Sequence, residues 1–335
     1  MTTDIRFNAE QLNSLPAEFA PLVDAFSDWR IYAAGLDESS GLPAGKIGGD
    51  DPLDMRPWVS FDALDVKLQQ FVSILRDLCL TKQSWASFKI DFISGSQHFR
   101  FRGQEMGGFF ACKKIPTDPP DIRSLPSLSS VREFISRKDI MAAGGLLLMS
   151  GEAGTGKTTT ATAVVRERLR LYGGYCLAMA DPLEQPIAEV GGRRVGINGY
   201  VDEVDVSEIG YRQGLIHSFR SFPVRQKGML FYGEIRSDSN AADILNIACD
   251  GRDVHSTMHA KSADAVIERV LASAVLGGLP INNARSLLAQ SLCAVVHHKI
   301  RYGQFEVKIH VVTSEVAAAI RDGQALPFQS AAQVK

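Results

Sequence analysis

One segment limits what this chain can fold into more than any other. Gly151-Glu152-Ala153-Gly154-Thr155-Gly156-Lys157-Thr158 fits G-x-x-x-x-G-K-[ST] at every position. The apolar run Leu146-Leu147-Leu148-Met149 precedes it, and helical spacing from Thr158 to about Leu171 follows. A strand, a glycine-rich turn and a helix in that order form a phosphate-binding loop. The glycines let backbone N–H groups turn inward around phosphate oxygens. Lys157 reaches the β- and γ-phosphates, and the Thr158 hydroxyl is placed to ligate Mg²⁺. The positive end of the helix dipole adds to the attraction. Such a loop needs a sheet behind it. Tyr175 to Ala180 and Gly228 to Glu234 are further short apolar runs, and helical spacing returns around Val206 to Phe219. Alternating strands and helices predict an α/β fold, a parallel sheet covered by helices on both faces.

A length of 335 residues suggests about two domains. The boundary is marked by residues 116–130, PTDPPDIRSLPSLSS, which hold four of the chain's 14 prolines and cannot continue a helix or a central strand. They read as a linker or hinge between an N-terminal α+β domain, 1–115, and an ATPase-type domain, 131–335. Within the first, Asn13 to Trp29 and Phe61 to Cys79 carry helical spacing. Gly35 to Asp51 reads as a mobile loop. Phe88 to Ile93 and Gln97 to Phe101 alternate around Ser94-Gly95-Ser96, a β-hairpin pattern, and Phe109 to Ile115 reads as a further strand.

Composition excludes several classes. Hydrophobic residues at 45% and charged residues at 22% exclude a disordered or collagen-like chain. A net charge of -2 leaves no whole-chain basic footprint for nucleic acid. The N-terminus lacks the pattern of a signal peptide, and no run approaches the roughly 20 apolar residues that span a bilayer. The chain is therefore expected in the cytosol, with its five scattered cysteines reduced.

A phosphate loop also needs acids. Asp181 and Glu184 follow one apolar run and Glu234 ends another. In parallel sheets, ligands bind at the carboxyl ends of strands, so all three are candidates, although Asp181 and Glu184 also read as helix caps. His255 and His259 have the i, i+4 spacing of a zinc pair but lack the glutamate of H-E-x-x-H. Cys293, His297 and His298 read as core and surface residues. Arg193-Arg194 reads as a solvated pair, with a charge-stabilising role toward a neighbouring subunit as the alternative.

The order GEAGTGKTTT, ADPLEQP, FRSFP, FYGEIRS and GRDVHSTMHAKSADAVIERV resembles the type II/type IV secretion ATPases, the GspE/PilT group. The likeness is dense over about 125–275 and reaches back through HFRFRGQEMGGFFACKKIP. It implies a RecA-like ATPase sheet preceded by a smaller PAS-like domain. Walker A falls on Gly151 to Thr158, with Thr159 next to it. By the same likeness Glu184 polarises the attacking water and Glu234 holds Mg²⁺ through water, with Asp181 as a further metal candidate. His259 senses the γ-phosphate, Arg220 matches the Arg box, and Arg100 and Arg102 match arginines that reach bound nucleotide. Ala180, Arg252, Ser237 and Lys113 depart from the family pattern, and the loop after Arg102 is short.

The chain lacks the extra N-terminal domain and tetracysteine site of assembly ATPases. It therefore resembles the short branch of PilT, DotB and TraJ type. The likeness implies an ATP- and Mg²⁺-dependent homohexameric ring at the cytoplasmic face of the inner membrane. Its partners would be platform or channel proteins of a type IV pilus or a type IVB/conjugative secretion machine. No direct nucleic-acid binding is expected. The alternatives are a ring subunit that binds ATP with little hydrolysis, and a RecA-like nucleic-acid translocase.

Overall fold

The computed structural model describes residues 14–43, 57–81, 87–94, 97–181, 183–189, 192–207, 209–218, 222–223, 228–236, 240–301 and 304–328. The chain divides into two compact units, Met1–Thr117 and Asp118–Lys335. Among the described residues, no helix is long and apolar enough to cross a membrane.

The first unit holds strands β1 (Ser14–Leu15), β2 (Phe26–Tyr32), β3 (Ser40–Pro43), β4 (Val59–Ser60), β5 (Ser87–Ser94), β6 (Gln97–Glu105) and β7 (Phe109–Ile115), with helices α1 (Ala20–Asp24) and α2 (Val66–Leu80). The sheet order is β1-β5-β6-β7-β2-β3-β4. The expected hairpin is present, with Ser94 opposite Gln97. Asp65 caps α2 by accepting from the Lys67 N–H, and Leu68, Phe71, Val72, Leu75 and Cys79 form its buried stripe.

Two expectations fail here. The helical spacing read over Asn13 to Trp29 ends early: α1 stops at Asp24 and β2 begins at Phe26. A register shift between Phe26 and Asp28 restarts the alternation, so that Trp29 and Ile31 are buried two residues apart. Gly35 to Asp51 is also more than a loop, because β3 pairs with β2 inside it; residues 44–51 lie outside the described part.

The second unit contains α3 (Ser129–Ile135), β8 (Gly145–Gly151), α4 (Lys157–Tyr172), β9 (Gly174–Ala180), β10 (Arg194–Val195), β11 (Gly199–Asp205), α5 (Gly210–Ser218), β12 (Gly228–Tyr232), α6 (Ala241–Cys249), β13 (Asp253–His259), α7 (Ala263–Leu276), α8 (Ile281–Ser291), β14 (Leu292–Arg301), β15 (Gln304–Val311) and α9 (Ser314–Asp322). The sheet order is β10-β11-β9-β12-β13-β8-β14-β15. The strands from β11 to β14 in that order run parallel, and β10 and β15 close the edges antiparallel.

Side-chain alternation explains the unbroken apolar runs. Leu146 and Leu148 of β8 face a core with Ile244, Val266 and Leu288. Leu147 and Met149 face the other core, with Val131, Val164 and Val165. A strand covered on both faces has no polar side to show.

The proline-rich segment contributes to that second core. Ile122 and Leu128 are buried with Val131 and Phe134, and Asp118 already belongs to the second unit. Short 3₁₀ turns follow at Ile122–Ser124 and Pro126–Leu128, the second opening on Pro126, and lead into α3. Most of the expected linker 116–130 is thus a packed strap.

A buried ion pair ties α4 to β13. Arg168 Nη2 donates to Asp253 Oδ2 at 2.9 Å, and Nη1 donates to the Ile135 carbonyl at 3.1 Å. Burial acts to raise the Asp253 carboxyl, but His255 and Arg168 outweigh it and hold the group below its ordinary value. Arg168→Met strands the carboxylate and is expected to cost about 3–5 kcal/mol in urea unfolding of the second unit. A carboxyl lowered in the fold stabilises above its unfolded pKa of about 3.9. This contribution is lost as pH falls through the folded value, and Arg168→Met should flatten that acid limb.

Candidate nucleotide site

β8 delivers its last residue into the glycine-rich loop. Gly151 has φ 151°, and a Cβ there would lie 2.6 Å from both the His298 carbonyl and Thr155 Oγ1. Gly156, at φ 78°, caps α4 in the left-handed region, and a Cβ there meets nothing within 4 Å. The loop is therefore tight on the side of the sheet and open on the side where phosphate oxygens would sit. The N–H groups of the first turn of α4 have no acceptor within the helix, an arrangement that can receive an anion.

Lys157 is 6% exposed. Its Nζ donates to the Glu152 carbonyl at 2.7 Å and lies 3.3 Å from His259 Nδ1. His259 Nε2 is 3.4 Å from Glu234 Oε1. Arg236 Nε donates to Glu234 Oε2 at 3.1 Å, and its Nη2 donates to the Asp181 carbonyl at 3.1 Å. Four sequence candidates, Lys157, His259, Glu234 and Asp181, are thus joined in one polar chain across the ends of β8, β13, β12 and β9. Burial lowers the Lys157 ammonium, and Glu234 and Glu184 pull it back up, so both carboxylates stand within electrostatic reach of it. His259 is lowered by burial and by the nearby Lys157, which keeps it neutral at pH 7. Beside the loop a cavity of about 410 Å³ is walled by Glu152, Ala153, His259, Lys261 and Arg269 among others.

Glu184 is half-buried in the loop after β9. That loop is docked by Gln185, whose Nε2 donates to Thr159 Oγ1 at 2.9 Å. Thr158 is half-buried beside it in the first turn of α4. Among the described residues, no group of three or more His, Cys, Asp or Glu side chains could hold a metal ion. A hydroxyl and one or two carboxylates instead suit Mg²⁺, which keeps several waters and borrows substrate phosphate oxygens.

Arg220 lies outside the described residues. Its neighbour Phe222 packs edge-on to Tyr175, with centroids 5.5 Å apart, and the Arg252 guanidinium lies 4.0 Å over the Phe222 ring. Tyr175 pairs with Gly228, and Asp253 pairs with Gly145, which marks the opposite edge of the sheet from Gly151. Six residues of strand separate Gly145 from Gly151, roughly 20 Å. Arg252, which departs from the family's first His-box histidine, is therefore a stacking residue at that far edge. Arg100 and Arg102 lie on β6 of the first unit. Arg193 Nη1 pairs with Asp202 Oδ1 at 3.0 Å on the exposed surface, as a solvated residue does.

Two contacts with the loop carried no signal in the sequence. His298 of β14 is buried, and its Nδ1 lies 3.0 Å from the Thr155 carbonyl of the loop. His297 Nδ1 lies 2.9 Å from Ser150 Oγ. Both histidines follow from β14 pairing beside β8, with His297 opposite Ser150.

Residues 124–323 match the family model described as Type II/IV secretion system protein. The chain belongs to this family. It is 26% identical over 252 residues to the uncharacterized protein YggR of Escherichia coli K12, covering 70% of this chain and 71% of YggR. With the type IV pilus retraction ATPase PilT of Pseudomonas aeruginosa it shares 27% identity over 222 residues, covering 65% of this chain and 61% of PilT. Its fold matches the pilus retraction motor PilT with bound ADP at a TM-score of 0.62, 18% identity, over 95% of this chain and 87% of the other. It matches the Legionella pneumophila ATPase DotB at a TM-score of 0.63, 16% identity, over 93% and 85%. This likeness shows the RecA-like α/β fold that the family resemblance implied.

Burial and the neighbouring Lys157 and His297 outweigh the Thr155 carbonyl and lower His298 to about 4. A histidine lowered in the fold leaves stability intact above its unfolded pKa of about 6.5. Below that the unfolded chain takes up a proton that the folded chain refuses, so stability falls between about pH 6.5 and 4. The loss should reach about 3 kcal/mol. His298→Gln keeps a donor for the Thr155 carbonyl and should remove this slope in denaturant titrations across pH.

Proposed function

We propose that this chain is an ATP-hydrolysing motor of a type IV pilus or type IV secretion machine. It works as a homohexamer at the cytoplasmic face of the inner membrane, through platform or channel proteins, with the junction at Pro116 and Thr117, ahead of the packed strap, as its hinge. The observation that carries this reading is the contact chain from Lys157 through His259 to Glu234 at the mouth of the glycine-rich loop, in a member of a family that includes named pilus ATPases.

The residues divide the chemistry as follows. Backbone N–H groups of Gly151 to Thr158 cradle the phosphates. Lys157 exchanges its bond to the Glu152 carbonyl for phosphate oxygens. Thr158, and Glu234 through water, would hold Mg²⁺, with Asp181 the further candidate; the bound ion would supply charge neutralisation for the phosphates. Glu184 orients water for in-line attack on the γ-phosphorus and accepts its proton, and the bond to the β-phosphate oxygen breaks to release ADP. His259 touches both Lys157 and Glu234, so loss of the γ-phosphate is felt on both sides of it. Arg220, Arg100 and Arg102 are nucleotide contacts on the strength of the family likeness alone.

The departures at Ala180, Arg252 and Ser237 point to a second reading, a ring subunit that binds ATP with little turnover. Steady-state phosphate release with Mg-ATP separates the two. The motor reading expects turnover by the wild type. It expects Glu184→Gln to bind ATP with turnover reduced on the order of 10²- to 10⁴-fold. Binding without phosphate release by both proteins, even with membranes added, favours the second reading.

A further inference from the structure

Outside the glycine-rich loop, one buried hydroxyl touches both acidic strand ends. Tyr211 is the second residue of α5 and is 7% exposed. Its ring stacks on Tyr232 at the end of β12, with centroids 4.2 Å apart and planes at 25°. Its hydroxyl accepts the backbone N–H of Asp181 at 3.2 Å. The backbone of Glu234 lies close enough to this oxygen to act on it electrostatically. The bond from Gly233 N–H to the Met179 carbonyl, 2.8 Å, continues the β9–β12 ladder just past Tyr232. The Tyr211 oxygen therefore closes the seam where the backbone ladder stops.

The seam is shaped for this hydroxyl. A Cβ on Gly233 would sit 2.9 Å from the Tyr211 oxygen and 2.8 Å from the Ala180 Cβ. Glycine at 233 and a small residue at 180 leave room for the phenol, which gives the Ala180 departure a structural counterpart. Burial pushes the phenol well above its ordinary value, so it stays protonated and uncharged beside the carboxylates. Arg236 spans the same two residues from the solvent side, at 43% side-chain exposure, and Tyr211 is the buried strap beneath it.

We propose that Tyr211 is a positioning residue: its hydroxyl locks the end of β9 to the end of β12 and thereby fixes where Asp181 and Glu234 stand relative to Lys157. The effect on turnover rests on the hydrolysis reading above; the bridge itself does not.

The test uses the full chain and Tyr211→Phe, which keeps the stacked ring and deletes the bridging oxygen. Amide hydrogen exchange without nucleotide should speed up at Asp181 and Glu234 by on the order of tenfold, with β8 and β13 unchanged. The gain in ADP affinity on adding Mg²⁺ should shrink by on the order of tenfold, while affinity in EDTA is unchanged. With ATP, kcat should fall by on the order of tenfold at constant KM. Unchanged exchange at both amides overturns the bridge, as does fast exchange of both in the wild type should the variant fail to fold. Faster exchange with the Mg²⁺-dependent gain and kcat unaltered overturns the positioning role and leaves a structural hydroxyl. A wild type that releases no phosphate overturns the hydrolysis reading, and Mg²⁺-dependent ADP binding then decides the role of Tyr211.

Discussion

Everything at the candidate site depends on one strand being hydrogen-bonded on both sides. β8 lies between β13 and β14, so its end cannot drift. The glycine-rich loop leaves from that end. β13 brings His259 level with Gly151 on one side, and β14 brings His297 level with Ser150 on the other. A loop built mainly of glycine has little shape of its own, and here the shape is imposed by the ladder. Burial on both faces by apolar side chains supplies the cohesion that keeps three strand ends in register.

On that frame the charges form a connected set. A lysine withdrawn from water is costly unless its neighbours favour the ammonium. Lys157 has the Glu152 carbonyl at 2.7 Å, with Glu234 and Glu184 near enough to support its charge. His259 stays neutral between an ammonium and a carboxylate. The arrangement is poised for phosphate, because an anion entering the loop would meet a cation already held in place.

Much of this was legible in the residues. The loop motif, the three central strands and the acids after them follow from spacing and apolar runs, and the structure brings Lys157, Glu234, His259 and Asp181 into contact. What escaped was what pairing alone creates. His297 and His298 look like ordinary strand residues until β14 is known to lie beside β8. Phe26 to Trp29 look helical because the bulge at Phe26 to Asp28 interrupts the strand alternation. Ile122 and Leu128 sit among prolines and serines that read as a linker, yet they are apolar and had a core to join. Tyr211 gives no local sign at all, because the N–H that its hydroxyl accepts belongs to Asp181, far back along the chain.

The stack of Arg252 on Phe222 has a mechanical meaning. β13 begins at Asp253, next to Arg252, and ends at His259. Paired along both sides, it is a stiff rod that spans the sheet from one end to the other. The rod links the phosphate end of the sheet to an aromatic contact at its far rim. Any part that gripped that rim would stand one strand's length from the glycine-rich loop.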